Sequence, residues 1–118
     1  MIQPTKSYIG TYYAQAEPNS VSPLCGFVVP KDESHALYRF RANGADPSAY
    51  VSLIWDNYGD DRKVIASTKG DVDLLFDTSV HSEHFVGDGV KCLMIVITND
   101  NDSQSPIIGG AFEMVKVD

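Results

Sequence analysis

Apolar side chains recur at every second position in short segments along this chain, and Gly, Pro, Asn or Asp closes each segment within a few residues. Alternation at period two turns one face of an extended segment into a core and the other into water, so repeated short copies describe two stacked sheets or a barrel. The cleanest copy is Tyr38-Arg39-Phe40-Arg41-Ala42, which sends Tyr38, Phe40 and Ala42 inward and both guanidinium groups outward. Ser7 to Ala14 is rich in aromatic and β-branched residues and reads as a first strand, with Gly10 marking a bulge or bend inside it. The prolines of Glu17 to Pro23 make that stretch a loop, and Leu24 to Val29 follows as a strand.

The later segments extend the pattern. Ala49 to Trp55 places Val51, Leu53 and Trp55 on one face, Lys63 to Thr68 places Val64 and Ala66 together, and Gly70 to Asp77 sets Val72, Leu74 and Phe76 against Asp71 and Asp73. Val90 to Thr98 is apolar on both faces and is expected to be covered on both sides. Gly110 to Val117 closes the chain, and Ser79 to Val86 matches neither period. The expected fold is all-β: a single-domain antiparallel β-sandwich of about eight strands, jelly-roll-like in its connections. A chain of 118 residues without internal repeat or linker reads as one domain, 1–118.

Charge narrows the partners. Nine Lys and Arg against sixteen Asp and Glu give a formal net charge of -7, which repels phosphate backbones and anionic lipid. Nucleic acid and membrane surfaces are therefore not expected partners. No segment approaches the ~20 apolar residues that span a bilayer, and Met1 to Lys6 lacks the basic and apolar regions of an export signal, so a cytoplasmic location is expected. The two cysteines, Cys25 and Cys92, then read as free thiols in a reducing compartment.

Two patches carry candidate binding chemistry. Trp55, Asp56, Asn57 and Tyr58 join aromatic rings to polar groups at a strand end, the composition of interfaces and sugar platforms, although a tryptophan there also suits a plug for the core. Asp60 and Asp61 on one connection and Asn99, Asp100 and Asp102 on another offer hard oxygen ligands for calcium, provided both loops meet at one end of the sandwich. Neither loop follows the EF-hand pattern: counting from Asp100, Ser105 takes the glycine position and Ala111 the bidentate glutamate position. His81, Glu83 and His84 crowd together but are one residue too short for the helical zinc motifs.

The tail from Val96-Ile97-Thr98-Asn99-Asp100 through a loop to Gly110-Ala111-Phe112 resembles the segment running from calcium loop to last strand in small bacterial galactose-binding jelly-roll lectins. The resemblance covers about the last twenty residues. It implies Asp100 as a first loop ligand, and it breaks at Gln104 and Ile107-Ile108, where the family carries a threonine and an Asn-Asn pair. No nucleophile elbow or phosphate loop occurs. The expectation is a non-enzymatic, interacting or structural module, a homo-oligomer that self-assembles or binds a protein partner through edges and loops. The alternative is a calcium-assisted carbohydrate-binding module.

Overall fold

The computed structural model describes residues 5–79 and 83–117. Those residues form β1 (Lys6–Gln15), β2 (Ser20–Val28), β3 (Ser34–Asn43), β4 (Ala49–Trp55), β5 (Lys63–Thr68), β6 (Val72–Leu75), β7 (His84–Val86), β8 (Cys92–Asn99) and β9 (Ile107–Val117), with no helix among them. One sheet runs β1-β9-β3-β6, with β7 pairing the remaining part of β3, and the other runs β2-β8-β4-β5. Every ladder is antiparallel. The chain crosses from the first sheet to the second and back at each of the early connections, and the long-range partner of each early strand comes from the end of the chain. The result is a sandwich of two antiparallel sheets whose early strands alternate between the layers.

Alternation in each strand sends one set of side chains between the sheets. Phe40 and Leu37 of β3, Phe112 and Met114 of β9, Val51 and Leu53 of β4, and Leu93, Ile95 and Ile97 of β8 meet there, all at most 4% exposed. Tyr8 of β1 bridges the layers at the sandwich edge, its ring 4.9 Å from both Phe27 and Phe112.

Bulges account for several departures from the plain period-two reading. The register of β3 against β9 shifts between Leu37 and Arg39, so Leu37 rather than Tyr38 continues the inward row with Phe40. Tyr38 instead lies under the Lys6 ammonium, 5.2 Å from its ring centroid. A second shift, between Leu53 and Ile54 opposite β5, separates Ala66 from Val64, which is 48% exposed. Gly10 stays in ladder opposite Phe112, and the irregularity of β1 falls at Ser7, between Lys6 and Tyr8. A Cβ on Gly10 would strike the Tyr8 ring at 2.4 Å, so this glycine makes room for an aromatic instead of bending the strand.

Pro23 lies inside β2, at another register shift next to Cys25, which is where an edge strand tolerates a missing donor. The outer face of β8 carries no further layer. Val96 there lines an open depression of about 410 Å³ with Val21, Ile54 and Val64. The last strand is central rather than an edge; the edges are β1, β6 and β7 in one sheet and β2 and β5 in the other.

Phe112 is fully buried, sits opposite Gly10 and Phe40 in its sheet and meets the Tyr8 ring. Phe112→Ala is expected to cost about 3–5 kcal/mol of unfolding free energy in urea denaturation.

Candidate functional site

The register of the five-stranded sheet places side chains in rows across its outer face. Tyr13, Gly109 and Asn43 form one row, Thr11, Ala111 and Arg41 the next, and Ile9, Glu113 and Arg39 the third. The middle strand thus contributes a glycine, an alanine and a glutamate between taller neighbours. The first two rows enclose a trough of about 220 Å³, lined by Thr11, Tyr13, Arg41, Asn43, Gly109 and Ala111, among others. Along its floor runs β9, where Ala111 adds a methyl, and the Tyr13 ring takes the space that a Cβ on Gly109 would need, 2.3 Å away. That ring lies over Gly109 and remains 64% exposed, so its other face is open to solvent.

The two arginines of β3 have different roles. Arg39 Nε donates to Asp73 at 2.7 Å and stands 4.0 Å from the Glu113 carboxylate. Glu113 is 6% exposed and also faces Lys6 Nζ at 3.6 Å. Arg39 is therefore committed to neutralising one buried and one exposed carboxylate. Arg41, one row along and half-buried, makes no hydrogen bond and no ion pair among the described residues, although it stands opposite Asp73 in the β3–β6 ladder and its charge helps lower that carboxyl. The nearby Asp71 carboxylate is turned away to accept the Gly44 N–H at 2.7 Å. A guanidinium with five donors thus borders a trough that also offers the Thr11 hydroxyl, the Asn43 amide and an aromatic face.

The residues singled out from sequence lie elsewhere. Trp55 is 8% exposed and packs against Phe85 at 5.1 Å between ring centroids, as a plug for the core. Asp56, at a φ of 51°, accepts the Asp61 N–H on its carboxylate at 3.2 Å and folds over Gly59, where any Cβ would collide. Asn57 donates to Met94 Sδ at 3.9 Å. Of the four, Tyr58 alone projects freely, 80% exposed. The Trp55–Tyr58 segment is a self-closed turn over the core, not a platform.

The five proposed calcium ligands do not come together. Trp55 pairs with Leu93 and Ala49 with Asn99, so Asp60 and Asp61 follow one end of β4 while Asn99, Asp100 and Asp102 lie at the other. At about 3.3 Å per residue those ends are about 20 Å apart. Asp61 is ion-paired with Lys91. Asn99 is 1% exposed, and its Nδ2 faces the carbonyls of Ala16, Glu17 and Gln104 at 3.0–3.2 Å while its Oδ1 accepts from Asn101. It laces the loop before β9 to the end of β1. Asp100 uses its backbone N–H on the Ser48 carbonyl at 2.7 Å, and no metal-binding group of three acidic, histidine or cysteine residues occurs among the described residues.

Of the histidine cluster, His81 lies outside the described residues; Glu83 pairs with Lys63 at 2.7 Å, and His84 Nε2 meets the Ser79 carbonyl at 3.1 Å. Cys25 and Cys92 are free. They sit on neighbouring strands, but Cys25 pairs with Ile95 and Val28 with Cys92, a separation of three steps, about 10 Å, that no disulfide spans. Burial raises both thiols above their ordinary value, which keeps them in the unreactive protonated form.

No protein-family model matches this chain, and no curated protein matches it. A solved structure described as "Crystal structure of PirA" is similar to it over 96% of this chain and 99% of that one, at 16% identity and a TM-score of 0.39. At that TM-score the likeness establishes neither the fold nor a role.

The two ends of the acidic pattern lead to different outcomes. Asn99→Ala removes a buried amide that holds three carbonyls and is expected to cost about 2–3 kcal/mol in urea unfolding, whereas Asp102→Ala stays within about 0.5 kcal/mol. Acid has a defined effect as well. The Arg39 guanidinium holds the Asp73 carboxyl below its ordinary value, and the Lys91 and Val90 N–H groups do the same for Asp88. A carboxyl lowered by folding stabilises the fold above its unfolded value and loses that contribution as pH falls through its folded one. Melting temperature is thus expected to fall below the ordinary carboxylate range near 3.8, and less steeply in Asp73→Asn.

Proposed function

We propose that this protein is a non-enzymatic binding module, and that it takes a carbohydrate ring in the trough between Tyr13 and Arg41. The observation that carries this reading is the Arg41 guanidinium, without a partner among the described residues, beside an exposed aromatic ring over the Gly109 to Ala111 stretch of β9. An aromatic face stacks on the apolar C–H face of a sugar, while nearby amide, hydroxyl and guanidinium groups bond its hydroxyls. The site lies on strands, whose ladders fix the backbone positions of its residues before any ligand arrives.

This reading dispenses with calcium, since the acidic residues invoked for it stand at opposite ends of the sandwich. Self-assembly through the outer strands has less to support it. The apolar last strand is interior, and the edge strand β1 presents Lys6, Thr11 and Gln15 beside the exposed Ile9, Tyr12 and Tyr13, an edge of mixed polarity.

A glycan array probed with the native chain, Tyr13→Ala and Arg41→Ala tests the proposal. The expected result is binding that survives a chelator and drops at least about tenfold, the equivalent of about 1.4 kcal/mol, in each variant. Binding abolished by chelator, or undiminished in both variants, would contradict it.

A further inference from the structure

Away from the trough, at the other end of β1, the structure holds a buried histidine that neither the alternation pattern nor the binding site accounts for. His35 is 2% exposed and belongs to the inner end of β3. Its Nε2 meets Glu33 Oε1 at 2.9 Å and its Nδ1 meets Ser7 Oγ at 2.7 Å. A carboxylate oxygen accepts, so Nε2 carries the ring hydrogen and Nδ1 is left as the acceptor for the Ser7 hydroxyl. Phe27 closes one side of the ring edge-on at 5.0 Å between centroids, and Lys116 Nζ stands 3.8 Å from the second Glu33 oxygen. The order is hydroxyl, imidazole, carboxylate: a nucleophile hydrogen-bonded to a base, and the base oriented by a third group.

The backbone is shaped for this contact. Ser7 has no partner in the ladder; it is the extra residue where the register of β1 slips between Lys6 and Tyr8. A bulge re-aims one side chain out of the regular alternation. Here it brings an exposed hydroxyl onto a buried imidazole 28 residues further along the chain. Glu33 belongs to the turn that enters β3, where its N–H donates to the Pro30 carbonyl at 3.1 Å and its carbonyl accepts from Gly87 at 2.9 Å, so the carboxylate is presented from a fixed turn.

We propose that Ser7 is a nucleophile activated by His35 and Glu33, and that it accepts an acyl group from an activated ester. The Ser7 Oγ–carbonyl carbon bond forms and the ester C–O bond breaks. The Ser7 proton passes to His35 Nδ1 and from there to the departing alkoxide, and the Glu33 carboxylate stabilises the imidazolium through Nε2–H. The products are acyl-Ser7 and an alcohol. This acyl transfer is stoichiometric and stands independently of the carbohydrate reading, because Ser7 lies four to six residues, about 13–20 Å, along β1 from Thr11 and Tyr13.

Exposure of the full chain to p-nitrophenyl acetate, followed by peptide mass mapping, tests it. Acetyl on Ser7 is expected in the native protein, with p-nitrophenolate released in equal amount. The rate at Ser7 is expected to fall about 100-fold or more in His35→Gln and in the same chain unfolded in urea, the range general-base assistance supplies. Glu33→Gln keeps an oxygen to accept Nε2–H but removes the charge, and an intermediate loss is expected there with the fold kept. Should His35→Gln not fold, Glu33→Gln and the native-against-unfolded comparison decide. No acetyl on Ser7, or equal labelling in the native and unfolded chains, would overturn the proposal.

Discussion

Strand β9 runs through the middle of one sheet and lies close against the other because it carries no side chain at two successive positions. On the inner face, a Cβ at Gly110 would stand 3.1 Å from Ile95 Cγ2 and 3.4 Å from Val51 Cγ1, both fully buried residues that cannot move aside. On the outer face, the missing Cβ of Gly109 lets the Tyr13 ring lie against the backbone. One dipeptide therefore makes room on both faces of β9, for Ile95 and Val51 inside and for the Tyr13 ring outside. The flanking strands supply the walls, since β1 and β3 pair with β9 on either side, each in unbroken register past the trough.

The trough lies on the face of a sheet and not at the loops. Recognition in β-sandwiches commonly falls to the loops at one end. Here the loop residues with suitable chemistry have structural duties: Trp55 fills the core, Asp56 closes its own turn and Asn99 ties three carbonyls together. The groups left without duties lie on strands. Arg41 is conspicuous because its neighbour Arg39 is fully engaged by Asp73 and Glu113, so adjacent outward arginines of one strand differ in what they can still bind.

Much of the sandwich was legible from residue order, and the reasons for the misses are local. Period-two patterning located Ala49–Trp55 and Lys63–Thr68 to the residue, because both are apolar runs bounded by turn residues. It misplaced Tyr38 and Val64, since a bulge inserts one residue and flips every later side chain. It took Pro23 as a loop signal, although an edge strand accepts proline. The acidic loops looked like one site because residue order carries no information on which end of a sheet a connection reaches, and the β4–β8 register puts them apart. Arg41 was visible as an outward residue, but its meeting with Thr11, Tyr13, Asn43 and Gly109 depends on β9 inserting between β1 and β3. The Ser7–His35 contact was equally hidden, since it joins residues 28 apart through a bulge.

The account stands on the glycine pair having opposite roles on the two faces, and equilibrium urea unfolding of Gly110→Val beside Gly109→Val measures that most directly. Side-chain volume at Gly110 is forced into the packed interior, and a loss of about 1–3 kcal/mol relative to the parent chain is predicted. At Gly109 the obstacle is a Tyr13 ring 64% exposed and free to swing outward, so a smaller loss is predicted. Equal stability of the two variants, or a larger loss at Gly109, would contradict the account.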